Sequence, residues 1–174
     1  MVVHAISAAV LVGAASHHLI WSRDYLRGRF SAVQAEQRFA LIAASAFVLT
    51  FCLGALLYPT YKVRVRAEYF DRPAAIQSES ELRKAQHLGE AASPDSSVSL
   101  SSVGRLFDIK EHAVALGCAA SLLLLALSRF AHPQDHPLTA PLYVGLSVFV
   151  CATVWFGAIA GIVTASYRAL GGVT

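Results

Sequence analysis

Histidine is the residue type whose placement first suggests chemistry in this chain. His4 and His18 lie 14 residues apart in a segment without any acidic or basic side chain other than histidine. In a helix this spacing leaves the two rings about 40° apart on one face and about 21 Å apart along the axis. An ionisable group in an apolar span is costly and tends to mark a function. Both rings are therefore candidate ligands.

A third histidine supplies the second imidazole that a haem iron requires. His112 stands at the start of the third apolar stretch, on the membrane side where His4 also lies if successive helices alternate in direction. Cofactor sites in helical bundles are built from facing side chains on separate helices. We therefore predict one b-type haem, with His4 and His112 as ligands of the haem iron.

Basic and hydroxyl side chains on the same side extend this predicted site. Haem propionates pair with cations, and arginine suits carboxylates. A quinone head group, also a possible cofactor here, needs hydrogen-bond donors and a proton acceptor. The residues assigned to these roles are Lys62, Arg64, Arg66 and Tyr61. The competing interpretation is that this basic segment only anchors lipid or docks a partner.

A second haem has a weaker basis in the sequence. The 14-residue gap between His4 and His18 resembles the spacing on a cytochrome b helix that holds two stacked haems. However, Ala126 rather than a histidine follows His112 by 14 residues. The remaining pair is His18 with His132, which lies in the turn before the fourth stretch, and we predict it only as a weaker second site.

Four apolar stretches must position these residues. The chain has 174 residues, of which 56% are hydrophobic and 14% charged, against about 25% charged in soluble domains. A bilayer core about 30 Å thick needs roughly 20 apolar residues. We predict an all-α fold in one domain, 1–174: an integral membrane four-helix bundle with a polar loop of about 45 residues between helices 2 and 3. The helices are predicted at about 2–21, 39–61, 106–130 and 138–167, and the extramembrane segment at 62–105.

These boundaries leave no acidic or basic residue inside a helix except in the opening turns of helix 3. Ion-coupled transporters usually carry such charges or broken helices near the midplane, so the sequence disfavours transport. Catalytic motifs of hydrolases are absent from the sequence. It also lacks the basic and aromatic pattern of a nucleic-acid-binding surface. The chain is therefore better interpreted as a subunit than as an enzyme by itself.

Two functions remain. The first is a small membrane cytochrome-like subunit that binds haem b and serves electron transfer, to or from quinone, in a larger complex. The alternative is a non-catalytic accessory or scaffold subunit with no cofactor of its own. The expected partners are other membrane subunits and lipids. We predict the cell (inner) membrane, with the N-terminus and the long loop in the cytoplasm, because nine of the 14 Lys and Arg residues lie on that side.

Overall fold

The computed structural model consists of long helices joined by short turns. It describes the backbone of residues 2–61 and 100–170 and the side chains of residues 2–58 and 109–163, and these ranges contain no strand. The helices are α1 (Val2–Ser22), α2 (Val33–Tyr61), α3 (Leu100–Phe130) and α4 (Ala140–Leu170), with short 3₁₀ helices at Arg23–Arg27 and Pro137–Thr139. The predicted all-α four-helix fold is confirmed.

Each long helix, alone or together with the adjoining 3₁₀ helix, provides a segment that is long and apolar enough to cross a membrane. These segments are Val2–Arg27, Val33–Tyr58, Ile109–Phe130 and Pro137–Val163. Large hydrophobic side chains remain exposed on them, among them Val10, Leu116 and Ile159. An exposed apolar surface of this extent marks contact with a membrane or a partner. The chain is a membrane protein with four candidate spans, which confirms the predicted transmembrane helices.

The helix boundaries differ from the predicted ones in an important place. Helix α2 begins at Val33 rather than at 39, because its polar first turns are built from Gln, Ala and Glu, which favour helix. Hydrophobicity marks the membrane-spanning part of a helix and not its ends. Glu36 consequently lies inside α2, within the candidate span Val33–Tyr58. The expectation that no helix other than the third carries an acidic residue is therefore wrong.

Contacts divide the chain into two units. The first comprises Met1–Gly54 and Lys110–Thr174, and the second comprises Ala55–Ile109. In the second unit the described residues form the last turns of α2 and the first turns of α3. In the first unit, α1 packs along α4.

Small residues allow the helices of the first unit to approach closely. A Cβ atom added to Gly117 of α3 would stand 2.5 Å from Thr153 Cγ2 on α4 and 2.9 Å from Phe47 Cζ on α2. Helix association in membranes depends on such packing, because lipid tails are as apolar as the helices themselves. The helices of this core therefore pack with their backbones close together.

Two turns lie at the end of the bundle opposite the N-terminus, which we call side B; the N-terminal end is side A. After α1, Gly28 adopts φ 66° and its N–H donates to the carbonyl of Tyr25, a left-handed conformation that glycine adopts without strain. Between α3 and α4, the carbonyl of His132 accepts the N–H groups of Asp135 and His136. These turns bring Tyr25 and His132 to side B.

Candidate functional site

A buried carboxylate lies at the side B end of the bundle. Glu36 is 0% exposed, and two imidazoles and two phenols that are themselves 0–5% exposed surround it. We call these five residues the Glu36 cluster: His18, Tyr25, Glu36, His132 and Tyr143. Because water does not reach the carboxylate, the protein must supply its hydrogen bonds.

Both carboxylate oxygens of Glu36 have two side-chain partners. Oε1 bonds to His18 Nε2 at 2.6 Å and accepts the hydroxyl of Tyr143. Oε2 accepts the hydroxyl of Tyr25 at 3.3 Å and bonds to His132 Nε2 at 3.3 Å. Four partners match the approximately four lone-pair positions of a carboxylate, so Glu36 is fully satisfied.

Helical phase explains why His18 points into the cluster. The buried positions of α1 recur every three or four residues, which places them on one face: Ser7, Leu11, Ala14, Ala15, His18 and Ser22. His17 is exposed on another side, where its ring stacks on Phe39 with 5.1 Å between centroids. Adjacent histidines therefore have different surroundings.

The five members come from separate elements of the fold. Tyr25 belongs to the 3₁₀ helix after α1, Glu36 to the first turn of α2 and Tyr143 to the first turn of α4, while His132 lies in the turn after α3. Their rings also pack on one another: the Tyr25 centroid is 5.2 Å from that of His132 and 5.9 Å from that of Tyr143. The cluster thus joins the side B ends of several elements through one carboxylate.

The hydrogen bonds define the tautomer of His132. Its Nδ1 accepts the backbone N–H of Gln134 at 3.1 Å, so that nitrogen carries no proton. The ring proton must then be on Nε2, which donates it to Glu36. His132 is therefore a neutral donor to the carboxylate.

The charge of the cluster depends on one additional proton. The ion pairs of Glu36 within the described side chains involve His18 and His132 and no Lys or Arg. A buried carboxylate without a compensating positive charge costs several kcal/mol. With His132 neutral, the cluster is uncharged when the pair Glu36 and His18 holds one additional proton, either on the carboxyl group or on the second ring nitrogen of His18. The 2.6 Å separation of the pair is typical of a strong, charge-assisted hydrogen bond.

The two predicted histidine pairs have different surroundings in the structure. His18 and His132, the weaker predicted pair, both bond to Glu36 through Nε2. His4 is partly buried near the start of α1, whereas His112 is exposed on α3. Haem ligation by His4 and His112 stays a prediction.

The side chains of the other predicted site residues are not among those that the structure describes. Lys62, Arg64 and Arg66 lie outside the described residues, and Tyr61 ends α2 with a side chain that is likewise outside them. Among side chains 2–58 and 109–163, no group of three or more His, Cys, Asp or Glu residues is arranged to hold a metal ion.

Three members of the Glu36 cluster were not recognised from the sequence. Glu36 precedes the start that the sequence predicts for helix 2, so the sequence does not place it inside a helix. Tyr25 and Tyr143 resemble the interfacial tyrosines of many membrane helices. A helix start that included the polar turn before residue 39 would have revealed an acidic residue inside a span.

Comparison with known protein families, with curated proteins and with solved structures found no match. The fold and the cluster therefore define a class of protein only: a helical membrane protein with a buried acid–base cluster at one end of its bundle. Its function must be inferred from the chemistry of that cluster.

Proposed function

We propose that the protein is a membrane subunit in which the Glu36 cluster binds one proton and exchanges it with water on side B. One observation carries the proposal: Glu36 is completely buried, and each of its partners is itself an acid or a base. An ionisable residue inside a span, with such partners, is a functional site by default. A site of this kind can accept a proton from a partner's reaction or supply one to it.

A contact that only held the helices together would not need the acidic and basic groups of the Glu36 cluster. Elsewhere in the bundle, α1 and α2 are joined by the hydroxyl of Thr50 donating to that of Ser7 at 2.9 Å. Such a pair links helices without burying a group that must gain a proton to stay neutral. Replacing buried ion pairs by apolar residues is often neutral or stabilising, so stability alone does not require a buried Glu–His pair.

Exchange with water is supported on one side only. His132 lies two residues before Gln134, which is exposed in the turn and donates its N–H to the ring. On the other side of His18, the next buried residues along α1 are Ala15, Ala14 and Leu11. These side chains cannot carry a proton. The proposed site therefore opens to side B.

Infrared spectroscopy of the protein in lipid tests the proposal. We expect a protonated carboxyl band, or an imidazolium band together with a carboxylate, that shifts in D₂O and disappears in Glu36→Gln. The matched control is Asp24→Asn, which changes an acid that is half-exposed on the same side of the bundle. An ionised Glu36 accompanied by two neutral imidazoles would overturn the proposal, because the cluster would then hold no proton.

Electron transfer by a b-type haem on His4 and His112, with a quinone nearby, is the second candidate. It is favoured by the Nδ1 atom of His4, which is shielded from solvent and has no hydrogen-bond partner. An absorption spectrum before and after dithionite tests it: we expect a Soret band that is lost in His4→Ala and in His112→Ala. A flat spectrum from cells supplied with haem would remove this candidate and leave an accessory subunit without a cofactor.

We also propose that the protein lies in the cell (inner) membrane with its N-terminus in the cytoplasm. The excess of Lys and Arg on side A supports this orientation. Labelling of a single cysteine introduced at exposed Gln134, from one side of sealed vesicles, tests it. Reaction from the cytoplasmic side would reverse the orientation, since Gln134 belongs to side B.

A further inference from the structure

The two oxygens of the Glu36 carboxylate are held unequally. Oε1 bonds to His18 Nε2 at 2.6 Å and accepts the hydroxyl of Tyr143. Oε2 has longer bonds, at 3.3 Å to the hydroxyl of Tyr25 and at 3.3 Å to His132 Nε2. Hydrogen bonds to a carboxylate are usually about 2.5–2.9 Å long. The Oε2 side of the Glu36 cluster is therefore the more weakly bonded side.

The two partners of Oε2 belong to elements that are anchored differently. Tyr25 lies in the 3₁₀ helix Arg23–Arg27, which packs against both α1 and α4. His132 lies in the segment between α3 and the start of α4, residues 131–139, which we call the α3–α4 turn. Among the described side chains, the bond from His132 to Glu36 is the only side-chain hydrogen bond that joins this turn to another part of the bundle. His132 is therefore the partner that can move with its own turn.

The α3–α4 turn covers the Oε2 side of the cluster. His132 and Pro133 are buried, at 5% and less than 2% exposed, whereas residues 134–138 are exposed. The turn thus runs from the buried carboxylate to the surface of side B. Because Glu36 is 0% exposed, water can reach its carboxylate only if some part of this cover moves.

Hydrogen bonds within the turn keep it closed. The amide N–H of Gln134 donates to His132 Nδ1 at 3.1 Å. Thr139 Oγ1 lies 2.7 Å from the carbonyl oxygen of His136 and 3.2 Å from that of Ala131, so its hydroxyl ties the two ends of the turn together. Exposed segments held by few such bonds open locally at a lower free energy than the helices they connect.

We propose that the α3–α4 turn is a movable cover that opens as a unit, carries His132 away from Glu36 and lets water reach Oε2. Gln134 moves with the ring and keeps its bond to Nδ1, so His132 presents the same Nε2–H when the turn closes. The bonds from Oε1 to α1 and α4 hold the carboxylate in place meanwhile. The role of this cover in proton exchange rests on the proposed function, whereas its opening can be measured whether or not the cluster holds an additional proton.

Hydrogen exchange followed by NMR of the full chain in lipid measures the opening. We expect the ring Nε2–H of His132 to be less protected from exchange with D₂O than the backbone amides in the middle of α1, because the turn opens without the helix. Thr139→Val removes the hydroxyl that ties the ends of the turn and should speed the ring exchange about three- to tenfold, without changing the α1 amides. Thr139→Ser keeps the hydroxyl and should retain the wild-type rate.

Thr153→Val is the matched control. The hydroxyl of Thr153 donates to the carbonyl of Phe149 at 2.8 Å within α4 and takes no part in the turn, so the exchange at His132 should stay as in the wild type. Infrared spectroscopy measures the ionisation of Glu36 separately, since neutral His132 carries its Nε2–H whether or not the Glu36–His18 pair holds an additional proton. A failure of the cover and a failure of the proposed function are therefore distinguishable.

Two results would overturn the cover. Equal exchange of the His132 ring in Thr139→Val and in the wild type would show that the α3–α4 turn does not control access to the ring. Exchange of the ring as slow as that of the central α1 amides would show that water reaches His132 only when the whole bundle unfolds.

Discussion

Glu36→Gln is the most specific test of the hydrogen bonds in the Glu36 cluster. It keeps the size of the side chain and changes one hydrogen-bond acceptor into a donor. His132 can only donate to residue 36, since its Nδ1 accepts the N–H of Gln134. The amide oxygen must therefore face His132 and Tyr25. The amide nitrogen then faces His18 and Tyr143, both of which bond to Oε1 in the wild type.

The expected cost follows from the bonds that change. Tyr143 loses the oxygen to which its hydroxyl donates, and a hydrogen bond to a charged group contributes about 1.5–3 kcal/mol. His18 can keep a bond by accepting from the amide nitrogen, but without charge assistance, which removes about 1 kcal/mol more. We expect Glu36→Gln to lower the free energy of unfolding by about 2–4 kcal/mol. Glu36→Leu leaves every partner without its acceptor and should cost roughly 3–5 kcal/mol.

Equilibrium unfolding in mixed micelles, followed by circular dichroism of the helices, measures these differences. The control is Gln34→Glu, an exposed position two residues away on the same helix turn, which should change stability by less than about 0.5 kcal/mol. The contrary result is a Glu36→Gln variant that is as stable as the wild type. In that case the carboxylate would not be the acceptor on which the surrounding rings depend.

Three further substitutions test the packing and the turns by the same unfolding assay. Tyr143→Phe removes one donor to Glu36 and should cost about 1–2 kcal/mol; an unchanged stability would show that this bond contributes nothing. Gly117→Ala should destabilise by about 1–3 kcal/mol, because its Cβ would meet Thr153, whereas Gly145→Ala has nothing within 4 Å and should stabilise slightly. If Gly145→Ala destabilised the protein more than Gly117→Ala does, that result would contradict the close packing of α3 on α4. Gly28→Ala should cost about 1–2 kcal/mol because of its φ of 66°, and a neutral effect would argue against this left-handed turn.

The helices could be predicted from the sequence because hydrophobicity acts locally. Each span is an uninterrupted apolar segment, so its existence follows from the cost of exposing such a segment to water. Helix ends were predicted less well, since they depend on polar residues with good helix propensity, such as those around Glu36. The start of α2 shows that a helix can extend beyond the segment that its hydrophobicity marks.

The Glu36 cluster could be predicted only in part. Its two histidines, His18 and His132, were candidates from residue type and from their place at one end of the bundle. Their common partner was not, because the contact of Glu36 with Tyr143 joins residues 107 positions apart. Such a contact depends on how the helices rotate against one another, which no local pattern determines. The separate surroundings of His17 and His18, by contrast, follow from helical phase.

The proton on the Glu36–His18 pair is measured most directly by ¹⁵N NMR of histidine-labelled protein in lipid. We predict that His132 is neutral with its proton on Nε2, and that the His18 resonances show either an imidazolium ring or a strong hydrogen bond to a protonated carboxyl group. The His18 resonances should change in Glu36→Gln. Two ordinary neutral rings beside an ionised Glu36, with the same His18 spectrum in both proteins, would contradict the claim that this site holds a proton.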